Sequence, residues 1–233
     1  MNEYIGGELE LFKHAHNWKA YYAGFFRRYL TGDVLEVGAG LGETTHHLYD
    51  GSQKSWIALE PDPSLSKEIE LKKQRGYLPQ LLTIKTGTID NLEQSILYDA
   101  IVYIDVIEHI ESDREELKKA EALLKPGGKL IILVPAHNFL YTEFDKAIGH
   151  FRRYNKKMLR AAAPETLNRI KLVYLDSVGL SASLANKWFL KQKYPELKQI
   201  KFWDNIMVPI SRITDKMLFH SLGKSVLGIW EKP

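Results

Sequence analysis

Short apolar runs alternate with amphipathic stretches from residue 33 to residue 135 of the 233-residue chain. Val34-Leu35-Glu36-Val37, Ser55-Trp56-Ile57-Ala58-Leu59-Glu60, Leu81–Lys85, Asp99–Asp105 and Lys129–Val134 are brief, apolar and bounded by turn residues, the pattern of buried strands. Between them, residues such as Leu117, Ala120, Leu123 and Leu124 recur at helical spacing. Strand and helix in strict alternation predict an α/β fold, a parallel sheet with helices on both faces.

The flanks extend this frame. Phe12, Ala15, Trp18, Tyr22, Phe25 and Tyr29 recur every three or four residues, predicting one amphipathic helix over 8–30. Ser64 is placed to cap the helix after Pro63, and Ser112 with Glu115 forms a capping-box pattern. Lys125-Pro126-Gly127-Gly128 stops the helix before the fifth strand. Beyond Pro135, Ala136–Tyr154 reads as a long polar-aromatic connection, too aromatic to be disordered. A helix near 155–163 and a strand over Ile170–Asp176 follow. Two helical stretches fall within 180–220, the second with Ile206, Ile210, Ile213, Met217 and Leu218 on one face, and Ser225–Trp230 reads as a last strand.

Candidate chemistry gathers at the strand ends. Gly38-Ala39-Gly40-Leu41-Gly42 breaks the first strand into a helix with G-x-G-x-G spacing, not the G-x-G-x-x-G that seats a pyrophosphate. Glu36, just inside that strand, repels a phosphate and attracts an ammonium. Glu60 lies 18 residues beyond Gly42 at the end of the next strand, where an acid accepts hydrogen bonds from ribose hydroxyls. Asp105 ends the fourth strand. Ligands of such sheets bind at the carboxyl ends of the strands, so Glu36, Glu60 and Asp105 are expected to cluster there.

Composition narrows the classes. The chain has no cysteine, which excludes disulfides, thiolate metal sites and cysteine nucleophiles. Met1–Glu10 carries three glutamates and no apolar stretch, unlike a secretory signal, so a cytoplasmic location is expected. Residues 1–150 hold 16 Lys+Arg against 23 Asp+Glu, whereas residues 151–233 hold 16 against 6. A basic C-terminal third suggests an anionic partner.

Four motifs in order, Val34–Gly42, Leu59-Glu60-Pro61-Asp62, Tyr98–Val102 and Leu123–Leu130, resemble those of class I S-adenosylmethionine-dependent methyltransferases. Asp105–Ile110, Val134–His137, Leu140-Tyr141 with Asp145, Gly149–Tyr154, Val208–Arg212 and Gly223–Val226 further resemble a bacterial subgroup associated with glycosyltransferases and cell-envelope sugar pathways. The resemblance implies a Rossmann-like seven-stranded mixed sheet of order 3-2-1-4-5-7-6, its last strand antiparallel, with a C-terminal helical lid. Residues 1–32 would form an N-terminal helical cap, 33–135 the cofactor-binding core, and 136–233 the acceptor-side loop, lid helices and last strands, all within a single domain.

It also implies a cofactor, S-adenosylmethionine, with S-adenosylhomocysteine as product. Gly38, Ala39 and Gly40 would lie along its methionine part, Glu36 near its ammonium, and Glu60 with Pro61 at the ribose. Thr88 and Ile89 take the adenine-edge positions, Thr88 standing where the wider family usually has an acid. Asp105 stands where the subgroup commonly has asparagine.

Methyl transfer to oxygen needs a base. His109, His137, His150, Tyr141 and Tyr154 are candidates, with His150 first, then His109 and Tyr154. Tyr141, Arg152 and Arg153 are candidate acceptor-binding groups, the guanidinium groups suiting phosphate or carboxylate. Asp105, Glu108 and His109 lack a second histidine cluster, so no metal is assigned. The expected acceptor is small or lipid-linked and anionic or sugar-derived, with peripheral membrane contact through Phe202, Trp203 and the 206–218 helix. An RNA methyltransferase ranks second because no RNA-binding module is recognisable; a non-catalytic cofactor-binding regulator is the other alternative. The sequence leaves the oligomeric state open.

Overall fold

The structure, a computed structural model, describes residues 7–187 and 195–233. The readings of Met1–Glu10 and of the 180–220 helices therefore lie partly outside the described residues.

Seven strands form one sheet: β1 (Gly32–Val37), β2 (Gln53–Glu60), β3 (Leu82–Thr86), β4 (Tyr98–Ile104), β5 (Leu124–Pro135), β6 (Asn168–Leu175) and β7 (Ser225–Glu231). Their order is 3-2-1-4-5-7-6, with β1–β5 parallel and β7 antiparallel to both β5 and β6. The helices are α1 (Glu8–Phe12), α2 (His16–Phe26), α3 (Glu43–Leu48), α4 (Pro63–Gln74), α5 (Asp113–Ala122), α6 (Glu143–Ala147), α7 (Lys156–Ala162), α8 (Ser177–Ala185), α9 (Leu197–Phe202) and α10 (Val208–Met217). A π-helical turn, Trp203–Met207, joins the last two.

Period-two alternation sends adjacent strand residues to opposite faces. Val34, Trp56, Ala58, Val102 and Leu133 pack beneath Trp18, Tyr22 and Phe26 of α2 together with Leu48, Ile69, Trp203 and Val208. Leu35, Leu59, Ile101, Tyr103 and Ile132 pack on the other side against Leu117 and Ala120 of α5 and Leu159 of α7. Helices thus cover both faces, as the alternation predicts.

Several local expectations are corrected. The predicted 8–30 helix breaks at residues 13–15, where Ala15 becomes the N-cap of α2. Asp62, not Ser64, caps α4, its Oδ1 accepting from the Ser64 and Leu65 amides, with Pro63 as first helical residue. Ser112 is the N-cap of α5 but makes no side-chain cap bond; its carbonyl accepts from Glu115 and Glu116. The Lys125–Gly128 stop lies within β5, which starts at Leu124 and pairs irregularly with β4 near Tyr98.

The helices between β6 and β7 are fastened by three buried aspartates. Asp204 accepts from the Asn17 and Trp18 amides, capping the start of α2 from a different element. Asp215 accepts from the Asp176 and Ser177 amides and from the Tyr21 hydroxyl. Asp176 accepts from Gly179 N, Trp203 Nε1 and Ser211 Oγ. Trp203 is therefore buried, which removes it from the expected membrane contact. No helix among the described residues is long and apolar enough to cross a membrane.

Candidate functional site

A cavity of about 1200 Å³ opens at the carboxyl ends of β1, β2 and β4, lined by the glycine loop, Glu60, Asp105 and residues of the β6–β7 helices. Gly38 adopts φ +70, and a Cβ there would meet Val106 Cγ2 at 2.5 Å, so the residue at this turn must be glycine. Gly38 and Ala39 donate their amides to Leu59 O, and Gly40 donates to Glu60 Oε2 at 2.8 Å. Glu60 Oε1 accepts from the Asp62 amide at 3.0 Å. Each carboxylate oxygen keeps a further lone pair for a ligand hydroxyl. Burial raises the Glu60 pKa, and these two amides oppose the rise.

Glycine backbone bared to the cavity and an acid fixed at the end of β2 fit the methionine and ribose parts of S-adenosylmethionine. Pro61, Thr88 and Ile89 line the same cavity. Asn91 Oδ1 accepts from the Thr88 amide and hydroxyl, holding Thr88 at the start of a single helical turn.

Glu36 stands one residue inside the end of β1. It is buried behind the loop, off the cavity wall, and its Oε2 accepts from Thr45 Oγ1 and from Trp56 Nε1 at 3.0 Å. Burial pushes its pKa up to about 7, against the pull of those two donors. The folded protein then holds the proton more tightly than the unfolded chain. Stability from this group is intact below the unfolded value near 4.5 and is lost progressively as pH rises through 7. Glu36→Gln is expected to raise the unfolding midpoint at pH 8, by roughly 3 kcal/mol at most, and to change little at pH 5. Parallel melts at the two pH values check this; an equal effect at both would refute it.

The other wall is a polar cluster. Asp105, just past β4, has φ +54, and burial raises its pKa to about 6 while the His150, Lys224 and Lys19 charges act against the rise. Asp145, fully buried, accepts from His150 Nδ1 at 2.9 Å. It also accepts from Arg153 Nε and Nη2 at 2.6 and 2.9 Å, and from Thr142 N and Oγ1. Burial works to raise the Asp145 pKa, but the His150 and Arg153 hydrogen bonds outweigh it and hold the carboxyl well below the usual range. An ionised Asp145 keeps the His150 proton on Nδ1 and leaves Nε2 as the acceptor. Glu108 is also fully buried, and among the described residues neither carboxylate oxygen has a hydrogen-bond partner; its Oε1 lies 3.9 Å from His150 Nε2. Burial, and then the Asp105 charge, raise its pKa well above normal. His109 packs edge-on against His150 at 4.5 Å, and burial lowers its pKa to about 4. Glu108, His109 and His150 offer ligand atoms within 4.8 Å of one another, a grouping able to hold a cation although the sequence assigns none.

Of the sequence candidates, His150, His109 and Arg153 meet at the cavity. Arg153 is engaged by Asp145, so it positions the dyad. Tyr154 is turned away: its hydroxyl donates to Asp113 Oδ2 at 2.6 Å. Arg152 pairs with the same Asp113 and with Glu111 O. Tyr141 donates to His150 O, and His137 stacks on Phe139 and Tyr174. These four lie off the cavity wall and brace the 136–154 segment instead.

Two lysines were not anticipated. Lys19, buried on α2, donates to Phe12 O, and burial lowers its pKa to about 8. Lys224, just before β7, sits over the Trp203 ring at 4.5 Å, its pKa lowered by burial. A single lysine, on an amphipathic helix or in a basic stretch, carries no local signal. Lys224 does lie within the Gly223–Val226 motif.

Seven strands in this order, a glycine loop after β1 and an acid closing β2 define a class I methyltransferase. The sequence matches the methyltransferase-domain family over residues 14–178, and the chain belongs to that family. A tRNA U34 carboxymethyltransferase from Syntrophotalea carbinolica is 29% identical over 101 residues, 42% of this chain and 31% of that protein. A ubiquinone biosynthesis O-methyltransferase from Rhodopseudomonas palustris is 24% identical over 172 residues, 67% of this chain and 65% of that one. The chain thus spans less than two thirds of the length of these curated relatives. The crystal structure of the N-methyltransferase NodS from Bradyrhizobium japonicum WM9 with S-adenosyl-L-homocysteine shares the fold, at TM-score 0.59 and 14% identity over 93% of this chain and 85% of that one.

Proposed function

We propose that this S-adenosylmethionine-dependent methyltransferase methylates a hydroxyl oxygen of a small or lipid-linked acceptor, anionic or sugar-derived. The observation that carries the oxygen acceptor is the Asp145–His150 dyad on the cavity wall. Asp145 fixes the His150 tautomer, so Nε2 can take the hydroxyl proton as the oxygen attacks. When bound, S-adenosylmethionine supplies an electrophilic methyl group. Glu60 would hold its ribose, the Gly38–Gly40 backbone its methionine part, and Thr88 and Ile89 its adenine edge.

The anionic character rests on the lining beyond Pro135. Among the described residues it contributes Lys187, Lys198 and Lys224, while Arg153 and Asp145 pair with each other. The sugar-derived acceptor rests on the resemblance to the bacterial subgroup associated with glycosyltransferases and cell-envelope sugar pathways. The named relatives act on unlike acceptors, among them a tRNA and a ubiquinone precursor, so family membership supports the reaction and leaves acceptor choice to the cavity.

An RNA acceptor is the second reading, favoured by the basic C-terminal third and the tRNA-modifying relative. Calorimetric titration with S-adenosylmethionine, S-adenosylhomocysteine and NAD tests the cofactor. A turnover screen over nucleotide sugars and lipid-linked sugars, against tRNA, tests the acceptor. Saturable binding of both sulfur nucleosides with turnover on an anionic sugar supports the proposal. Turnover confined to RNA, with steep salt dependence, replaces the acceptor. Cofactor binding without turnover on any class favours the regulator.

A further inference from the structure

We infer that the outer face of the segment from α9 to α10 docks on an anionic lipid bilayer and sets the cavity mouth against it; its role in catalysis rests on the lipid-linked acceptor proposed above. Phe202, Ile206, Ile210, Ile213 and Met217 recur every three or four residues, and all are exposed, Ile213 to 64% and Met217 to 71%. At 3.6 residues per turn they fall within an arc of about 80°. The inward face is the opposite one, with Val208, Ser211 and Asp215 buried. A continuous apolar stripe of this size on a water-soluble surface marks an interaction site.

Charge selects the occupant. Both acids of the segment, Asp204 and Asp215, are buried and hydrogen-bonded to neighbouring elements. The exposed charged side chains from residue 197 to 222 are all lysines: Lys198, Lys201 and Lys216. On the helix, Lys198 and Lys216 flank the apolar arc on one side. A second copy paired about a two-fold axis would set these lysines against their own kind, with no exposed acid on the segment to answer them. Anionic headgroups answer the lysines while the apolar arc enters the acyl boundary.

The end of α10 adds to the face. Phe219 and His220 both adopt the left-handed conformation, φ +51 and +52, unfavourable for residues other than glycine. The outcome is a Phe219 ring that is 89% exposed. At the other end, Lys198 and Phe202 belong to the cavity lining as well as to the docking face. Docking would therefore bring the cavity mouth to the depth of the headgroups, where a lipid-linked acceptor presents its polar end.

Co-sedimentation of the full chain with vesicles of phosphatidylcholine, with and without phosphatidylglycerol, tests the inference. Wild type should pellet with the anionic vesicles at low salt and remain in solution with the neutral ones. The double variant Ile213→Glu, Met217→Glu should lose binding, and Lys198→Gln and Lys216→Gln should each weaken it by about fivefold. Circular dichroism, and S-adenosylmethionine binding for the variants outside the cavity lining, report whether the variants fold. Wild type left in the supernatant, or binding indifferent to all four substitutions, overturns the inference. Sedimentation velocity showing a dimer that the double variant dissolves, without vesicle binding, assigns the face to a second copy. Turnover on a water-soluble acceptor should persist in the double variant, so failure of docking and failure of the proposed reaction are separately visible.

Discussion

Glu60→Ala is expected to weaken binding of both S-adenosylmethionine and S-adenosylhomocysteine by about 100-fold, the equivalent of about 3 kcal/mol for charge-assisted hydrogen bonds to a ribose diol. The side chain is suited to that bond because Gly40 N and Asp62 N already fix both carboxylate oxygens, so no orientation is lost on binding. Removing it also strands those two amides, so the alanine variant alone confounds binding with loop integrity. Glu60→Gln halves this confound: its carbonyl still accepts from Gly40, its NH2 cannot accept from Asp62, and the charge that favours the hydroxyl donors is gone. Calorimetry on both variants, with unfolding midpoints alongside, provides the measurement. An unchanged dissociation constant in Glu60→Ala would take the ribose away from the end of β2.

His150→Gln is expected to lower kcat on an oxygen acceptor by about 10²–10⁴-fold while leaving cofactor affinity unchanged. Glutamine keeps a group able to donate to Asp145 but has no acceptor nitrogen for the proton. Asp145→Asn should cut kcat in the same direction by disturbing the tautomer, though it also unpairs Arg153, so its KM and melting point need measuring together. If His150→Gln turns over at the wild-type rate, the acceptor is an amine with a free lone pair, and the oxygen assignment falls.

The two expectations draw on different kinds of information. Glu60 was legible because strand periodicity, the glycine turn and the spacing to the next strand-end acid are all local. His150 was marked from its loop and its arginine neighbours, but its partner Asp145 was not given the role of orienting it. Five residues of sequence separate them, and only the return of the chain after α6 brings the imidazole onto the carboxylate. Arg152 and Arg153 look equivalent in sequence, yet one braces Asp113 and the other Asp145. Glu36 shows the converse. Its motif position is clear, but only the folded chain brings Thr45 and Trp56 to its Oε2 and buries the side chain.

Caps and surfaces divide along the same line. The start of α2 carries no capping side chain of its own, and the helix predicted over 8–30 could not be seen to break there. Asp204, nearly two hundred residues later, supplies the acceptor. Likewise the periodicity of Ile206, Ile210, Ile213 and Met217 marks one face of a helix but not its direction. Three buried aspartates, binding Tyr21, Trp203 and the ends of α2 and α8, turn the polar face inward and leave the apolar one to solvent.

The sequence by itself therefore determined the sheet, the glycine loop and the acid that closes β2, because each follows from the period of a strand, the φ range of glycine or a fixed local spacing. Which carboxylate orients which histidine, which arginine is already spent, and which side of the last helices meets solvent were decided by tertiary structure alone. Those outcomes depend on pairings between residues distant in the chain, and a buried charge has no preferred partner until folding brings one within hydrogen-bonding distance.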